Sequence, residues 1–220
     1  EKYVGKWEVL DIELHPEGLR NTNTTFYLTE KTTVIPFLKT RNNFSHKGTY
    51  GHALFVGGSY GKMGAAILAA KACLRTGVGL LSVYTPQCGN DILQMAVPEA
   101  MTIADKDFNY ISLFIESLEK YTAIGIGCGI GTEPETAKVL NHLLKEITVP
   151  LVLDADALNI LSQHPDWLLS VPKHTIITPH PKEMDRLLGE TSHNRYEQLQ
   201  KTIAFSKKYC IFVVLKGAYT

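Results

Sequence analysis

Five short clusters carry residue types that can do chemistry: Gly57-Gly58 with Gly61 and Gly64; Gly127-Cys128-Gly129-Ile130-Gly131; Asp154-Ala155-Asp156; His180 between Pro179 and Pro181; and Lys216-Gly217. Glycine admits positive φ and lets another backbone or a phosphate come close. A helix that begins just after such a loop leaves its first N–H groups without intrahelical partners, so the loop is a candidate anion or nucleotide site. The field of a helix end contributes only about 0.3–1 kcal/mol, and about 2 when partly buried. Other groups must help to hold a nucleotide. The ammonium of Lys216 could meet a phosphate, with Gly217 admitting the nucleotide backbone. Asp154 and Asp156 could hold Mg²⁺ beside substrate phosphates, or Asp156 could cap the following helix. His180 could touch substrate or make only local bonds, and Glu183 could act there or cap the next helix.

Two common phosphate-binding patterns are absent from the first loop. The phosphate loop needs four residues between its first glycine and a Gly-Lys pair, then Ser or Thr. Here three residues separate Gly57 from Gly61-Lys62, and Met63 follows. The dinucleotide fingerprint G-x-G-x-x-G is not supplied by Gly57, Gly58 and Gly61 either.

The elements that must position these clusters follow from periodicity. Ala53–Val56 is an apolar run of strand length, and Ala65–Thr76 repeats apolar residues at helical spacing. Leu80–Tyr84 reads as the second strand and Tyr121–Ile126 as the third, with helices expected over Asp91–Met95 and Ser112–Lys120. Thr132-x-x-Glu135 has the pattern of a capping box before a helix whose apolar stripe is Ala137, Leu140, Leu143, Leu144 and Ile147, and Pro134 suits its first turn. Pro150–Leu153, Thr175–Ile177 and Ile211–Leu215 read as further strands, with a helix over about 195–209. Near-continuous apolar strands alternating with helices predict an α/β fold with a mostly parallel central sheet and helices on both faces. Ligands of such sheets bind outside the carboxyl ends of the strands, where all five clusters fall.

Composition narrows the ligand. The 220 residues carry 22 basic and 22 acidic side chains with no basic stripe, so neither nucleic acid nor an anionic membrane surface is an expected partner. Four cysteines lie far apart without C-x-x-C spacing, which fits a reduced, cytoplasmic protein. No apolar run approaches membrane-span length. Leu- and Ala-rich helices allow an interface, and a homo-oligomer is expected. Residues 1–22, with a strand-like run from Trp7 to Ile12, read as the tail of a preceding unit plus linker; 23–220 read as the main domain. Thr29–Leu38 reads as a short helix or turn broken by Pro36.

Taken together, K-G-T-Y-G-H with G-G-S-Y-G-K-M-G-A, then G-C-G-I-G, D-A-D-A-L-N, T-P-H-P-K-E and L-K-G-A-Y-T resemble the ADP- or ATP-dependent NAD(P)H-hydrate dehydratases over about 43–220. The resemblance implies a ribokinase-like three-layer α/β sandwich, a hydrated nicotinamide nucleotide as substrate, and ADP or ATP with Mg²⁺. It implies that Ala65, a glycine of the second loop (Gly129 or Gly131) and His180 line the substrate, with Asp154 counted on the same side. Lys216, Gly217, Ala218, Tyr219 and Thr220 would line the adenine nucleotide; the metal ligands stay open. Asp11–Pro16 resembles the end of the NAD(P)H-hydrate epimerase domain of bifunctional enzymes. The family's catalytic aspartate follows a later glycine-rich segment, beyond Thr220. No catalytic residue is therefore expected among these residues, and little activity from them alone. The alternatives are a small-molecule kinase of the same fold and a non-catalytic nucleotide-binding module.

Overall fold

The computed structural model describes residues 5, 8, 10–38, 40–113 and 117–217, and the chain divides into two units, Glu1–Phe44 and Ser45–Thr220. The first holds two short helices, α1 (Pro16–Asn21) and α2 (Lys31–Val34), neither with a buried residue. The 3-10 turn Ile35–Phe37 follows α2 and contains the proline expected to break it. Glu8 and 10–12 form no strand; Trp7 and Val9, the rest of that run, lie outside the described residues.

The second unit is a strand–helix alternation: β1 (His52–Val56), α3 (Met63–Arg75), β2 (Leu80–Thr85), α4 (Gly89–Ala96), β3 (Met101–Ala104), β4 (Ala123–Ile126), α5 (Pro134–Glu146), β5 (Leu151–Leu153), α6 (Asp156–Gln163), β6 (Ile176–Ile177), α7 (Pro181–Leu188), α8 (Arg195–Tyr209) and β7 (Phe212–Val213). Its sheet has seven strands among the described residues, in the order β3-β2-β1-β4-β5-β6-β7. Every pair is parallel, so all strand carboxyl ends share one edge.

Register sorts the side chains by face. Val56, Ile126, Leu153, Ile177 and Val213 are paired in a row across the sheet, and this row belongs to a core with α5–α8 residues such as Leu140, Leu158, Met184 and Phe205. On the opposite face, Ala53, Phe55, Leu81 and Val83 pack with Met63, Ala66, Ala70 and Leu93 of α3 and α4. Each fully buried aliphatic side chain contributes about 1.5–3 kcal/mol. The helices thus lie on both faces, as the apolar strands predict. Past β4 the second face is open: Val152, Ile176 and Phe212, paired in register, are exposed.

Two local readings are corrected and one strand is added. The described residues of Ser112–Lys120 form no helix, because the N–H groups of Ser112 and Leu113 donate to the Asp105 carboxylate at 2.8 and 2.9 Å; residues 114–116 lie outside the description. Helix α5 is not capped by Thr132: its N-cap is Glu133, at φ −60° and ψ 145° with no side-chain cap bond. Pro134 forces the residue before it into extended geometry, which moves the helix start one residue along. Strand β3, an edge strand, was not anticipated.

Candidate functional site

The strand order reverses direction between β1 and β4, and the two glycine loops leave the sheet at this switch point, where doubly wound sheets bind ligands. Gly58 N–H donates to Cys128 O at 3.0 Å, joining the loops directly. Gly127 is required by close approach, and Gly129 is favoured by its φ of 73° in a tight setting. Gly127 has φ 135°, and a Cβ there would sit 1.8 Å from Asp154 O; a Cβ on Gly129 would meet Lys62 O at 3.1 Å and the Ala65 Cβ at 3.3 Å. Ala65, in the first turn of α3, and Gly129 are therefore close neighbours.

The turn after β5 ties these loops to the next strand ends. Ala155, a non-glycine residue at φ 50° and ψ −118°, occupies a conformation that costs about 1–3 kcal/mol. The aspartates on either side reach different partners. Asp154 Oδ1 accepts from its neighbour's N–H at 2.8 Å and from the Lys216 ammonium at 2.6 Å. Asp156 Oδ2 accepts the Gly131 N–H at 2.9 Å and lies 3.5 Å from Lys62 Nζ, while Oδ1 accepts from Asn159 at 3.2 Å. Asp156 is the first residue of α6 and not its cap; its carboxylate fastens the second glycine loop to the lysine that ends the first. Burial, and then the Asp154 charge, push the Cys128 thiol up to about 11, so it stays protonated at neutral pH.

His180 caps α7. Its Nδ1 accepts the N–H groups of Lys182 and Glu183 at 3.1 and 3.2 Å, and Glu183 Oε2 accepts the His180 N–H at 2.8 Å, completing a capping box. A ring nitrogen that accepts two N–H groups carries no proton, which leaves the proton of the neutral ring on Nε2, 3.4 Å from Glu183 Oε1. The ring is half exposed, and the N–H of Lys216 donates to the neighbouring Pro179 O at 2.9 Å. His180 and Lys216 thus lie at the same end of the sheet. Ala218, Tyr219 and Thr220 lie outside the described residues.

Two participants escaped the sequence reading. Lys62 is given no role by the sequence, because Gly61-Lys62 fits no phosphate-loop template; a lysine just before a helix start is the available signal. Asp105, buried to 5% exposure, anchors the loop after β3. Burial raises its carboxyl, but bonds from Leu113 N–H, the Ser112 and Tyr84 hydroxyls and Asp107 N–H outweigh that and hold it below the ordinary carboxylate range.

A seven-stranded parallel sheet with helices on both faces and glycine loops at its switch point defines an α/β protein of the ribokinase-like class. A family model described as NAD(P)H-hydrate dehydratase matches residues 53–220, and the chain belongs to that family. It is 33% identical over 225 residues to the bifunctional NAD(P)H-hydrate repair enzyme Nnr of Moorella thermoacetica, covering 99% of this chain and 42% of that protein. Among solved structures, the ADP/ATP-dependent NAD(P)H-hydrate dehydratase from Bacillus subtilis, co-crystallized with ATP/Mg²⁺, superposes with a TM-score of 0.68 and 30% identity over 84% of this chain and 65% of that one. A ribokinase-like superfamily protein from Enterococcus faecalis gives a TM-score of 0.68 at 27% identity, covering 81% and 61%. The chain spans less than half the length of the Moorella relative. Among the described residues no helix is long and apolar enough to cross a membrane.

Proposed function

We propose that this chain forms the substrate side and part of the nucleotide side of an ADP- or ATP-dependent NAD(P)H-hydrate dehydratase, which returns the hydrated dinucleotide to NAD(P)H. The observation that carries this reading is the joined pair of glycine loops at the switch point, with Lys62 and Lys216 on either side of the Asp154-Ala155-Asp156 turn.

The chemistry explains the need for a nucleotide. Expelling hydroxide means releasing the anion of water, pKa about 15.7, whereas phosphate leaves as the anion of an acid near 6. The gap of roughly 10 units is worth on the order of 13 kcal/mol at most. In the proposed sequence, the ring hydroxyl gives its proton to a base and its oxygen takes the donor's terminal phosphoryl, releasing the shortened nucleotide. The ring nitrogen's lone pair then breaks the C–O bond, phosphate departs, and loss of a neighbouring ring proton restores the double bond. Glycine-loop N–H groups and the two lysines stabilise the phosphoryl charge.

The described residues offer no protein-held metal cage: none of their His, Cys, Asp and Glu side chains group in threes, and both rim aspartates face lysines. Mg²⁺ in this reading comes with the nucleotide's own phosphates, and no step is assigned to it. Of the rim groups that could act as a base, Asp154 and Asp156 are paired with lysines and His180 Nδ1 serves the helix, so the described residues are expected to bind both nucleotides and turn over slowly. The test mixes the chain with hydrated NADH and ADP, following NADH absorbance and the Tm with each ligand. ADP and NADH should each raise the Tm. A stable phosphoester without NADH would favour a kinase, and no shift with either ligand would end the reading.

A further inference from the structure

Two aromatic rings beside the first glycine loop stand in solvent. Tyr60 and Phe108 are 68% and 53% exposed, with ring centroids 6.1 Å apart and planes tilted by 41°. Their backbones are tightly held. Tyr60 N–H donates to Asn109 O at 2.7 Å, Cys88 N–H to Phe108 O at 3.2 Å, and Gln87 N–H to Asp107 O at 2.9 Å. The loop from Asp105 to Leu113 is gathered on the Asp105 carboxylate, which accepts N–H groups of Asp107, Ser112 and Leu113 and the hydroxyls of Ser112 and Tyr84. Rigid loops that hold two large rings away from the core gain nothing for the fold by that exposure.

Topology states which part of a ligand they can serve. The loop after β3 lies on the β2–β3 side of the switch point, whereas Asp154, His180 and Lys216 follow β5, β6 and β7 on the other side. A dinucleotide whose nicotinamide end sits at the glycine loops, with the phosphoryl donor at Lys216, has the β2–β3 side left for its second nucleoside. A hydrated nicotinamide ring is partly saturated and presents no flat aromatic face; adenine does, and base–aromatic stacking tolerates any flat base. We propose that Tyr60 and Phe108 form the platform on which the adenine of the dinucleotide substrate stacks, an inference that rests on the dehydratase reading above.

The test compares three probes, NADH, reduced nicotinamide mononucleotide and ADP, on the 220-residue chain and its variants by titration calorimetry. Tyr60→Ala with Phe108→Ala should weaken NADH binding about tenfold or more, the loss expected when a base–aromatic stack is removed. Reduced nicotinamide mononucleotide, which has no adenine, and ADP should bind as before. Tyr60→Phe with Phe108→Tyr keeps both rings and should restore NADH affinity. Unchanged NADH binding in the alanine variant overturns the proposal, as does equal loss of NADH and the mononucleotide, which would place the rings in support of the glycine loop. If the unmodified chain binds neither NADH nor ADP, the dehydratase reading itself falls and takes the platform with it.

Discussion

The residue that most tightly joins sequence to site is Asp105, although it touches no proposed ligand. Its carboxylate gathers backbone and hydroxyl donors from Tyr84 to Leu113, and its pKa is depressed in the fold. A depressed carboxyl contributes stability that is fully present above its unfolded pKa, about 3.9, and is lost as pH falls through the lower folded value. Asp105→Asn should therefore cost about 1–3 kcal/mol at pH 7, measured by urea unfolding. The gap between variant and parent should close as pH drops below 4, because the parent loses the same charge. A constant gap across that range would assign the loss to packing. Nothing in the sequence separates Asp105 from any aspartate after a strand; its importance comes from donors that only the folded loop brings together. Asp156 was visible in its motif, but its partners Lys62 and Gly131 lie 94 and 25 residues away and spacing could not connect them.

At the scale of elements, legibility depended on whether the signal was local. The apolar runs of β1, β2 and β5 were plain because strands inside a parallel sheet read as continuous apolar stretches, although in β5 only the face of Leu151 and Leu153 is buried. Edge strand β3 offers only Met101–Ala104, partly exposed, and left no such run. The start of α5 was misplaced because Pro134 and the Thr132 capping pattern compete, and proline geometry wins. Helix α7 carries the clearest element-level question, since His180 is both its cap and a proposed substrate contact. Asparagine is a good N-cap while alanine is not, and losing a cap costs about 0.5–2 kcal/mol. His180→Ala should lower the Tm and weaken NADH binding together. His180→Asn should keep the Tm and still weaken NADH binding, because the cap survives and the imidazole does not. Parent-like NADH affinity in the asparagine variant would reduce His180 to a cap.

For the whole molecule, the rule that parallel sheets carry their chemistry at strand carboxyl ends makes the rim readable from the sequence. What the sequence could not reveal was the asymmetry between the two faces. Leu153 and Val152 are neighbours in β5, yet Leu153 is 0% exposed and Val152 38%. Val152 joins Ile176 and Phe212 in an exposed row beside a groove of about 360 Å³ that also takes in Phe55, Gly125 and Ala72. Both residues are aliphatic, so the text of the strand is the same; only what lies above each face differs. Leu153→Ala opens a cavity in the covered core and should cost about 2–5 kcal/mol. Val152→Thr keeps a β-branched side chain on the open face and should cost under about 1 kcal/mol. The native chain should bind a hydrophobic dye such as ANS through this row, and Phe212→Lys should reduce the fluorescence while leaving the urea midpoint nearly unchanged. Equal destabilisation by the two β5 variants, or dye fluorescence indifferent to Phe212→Lys, would mean that the second face is covered in solution as fully as the first.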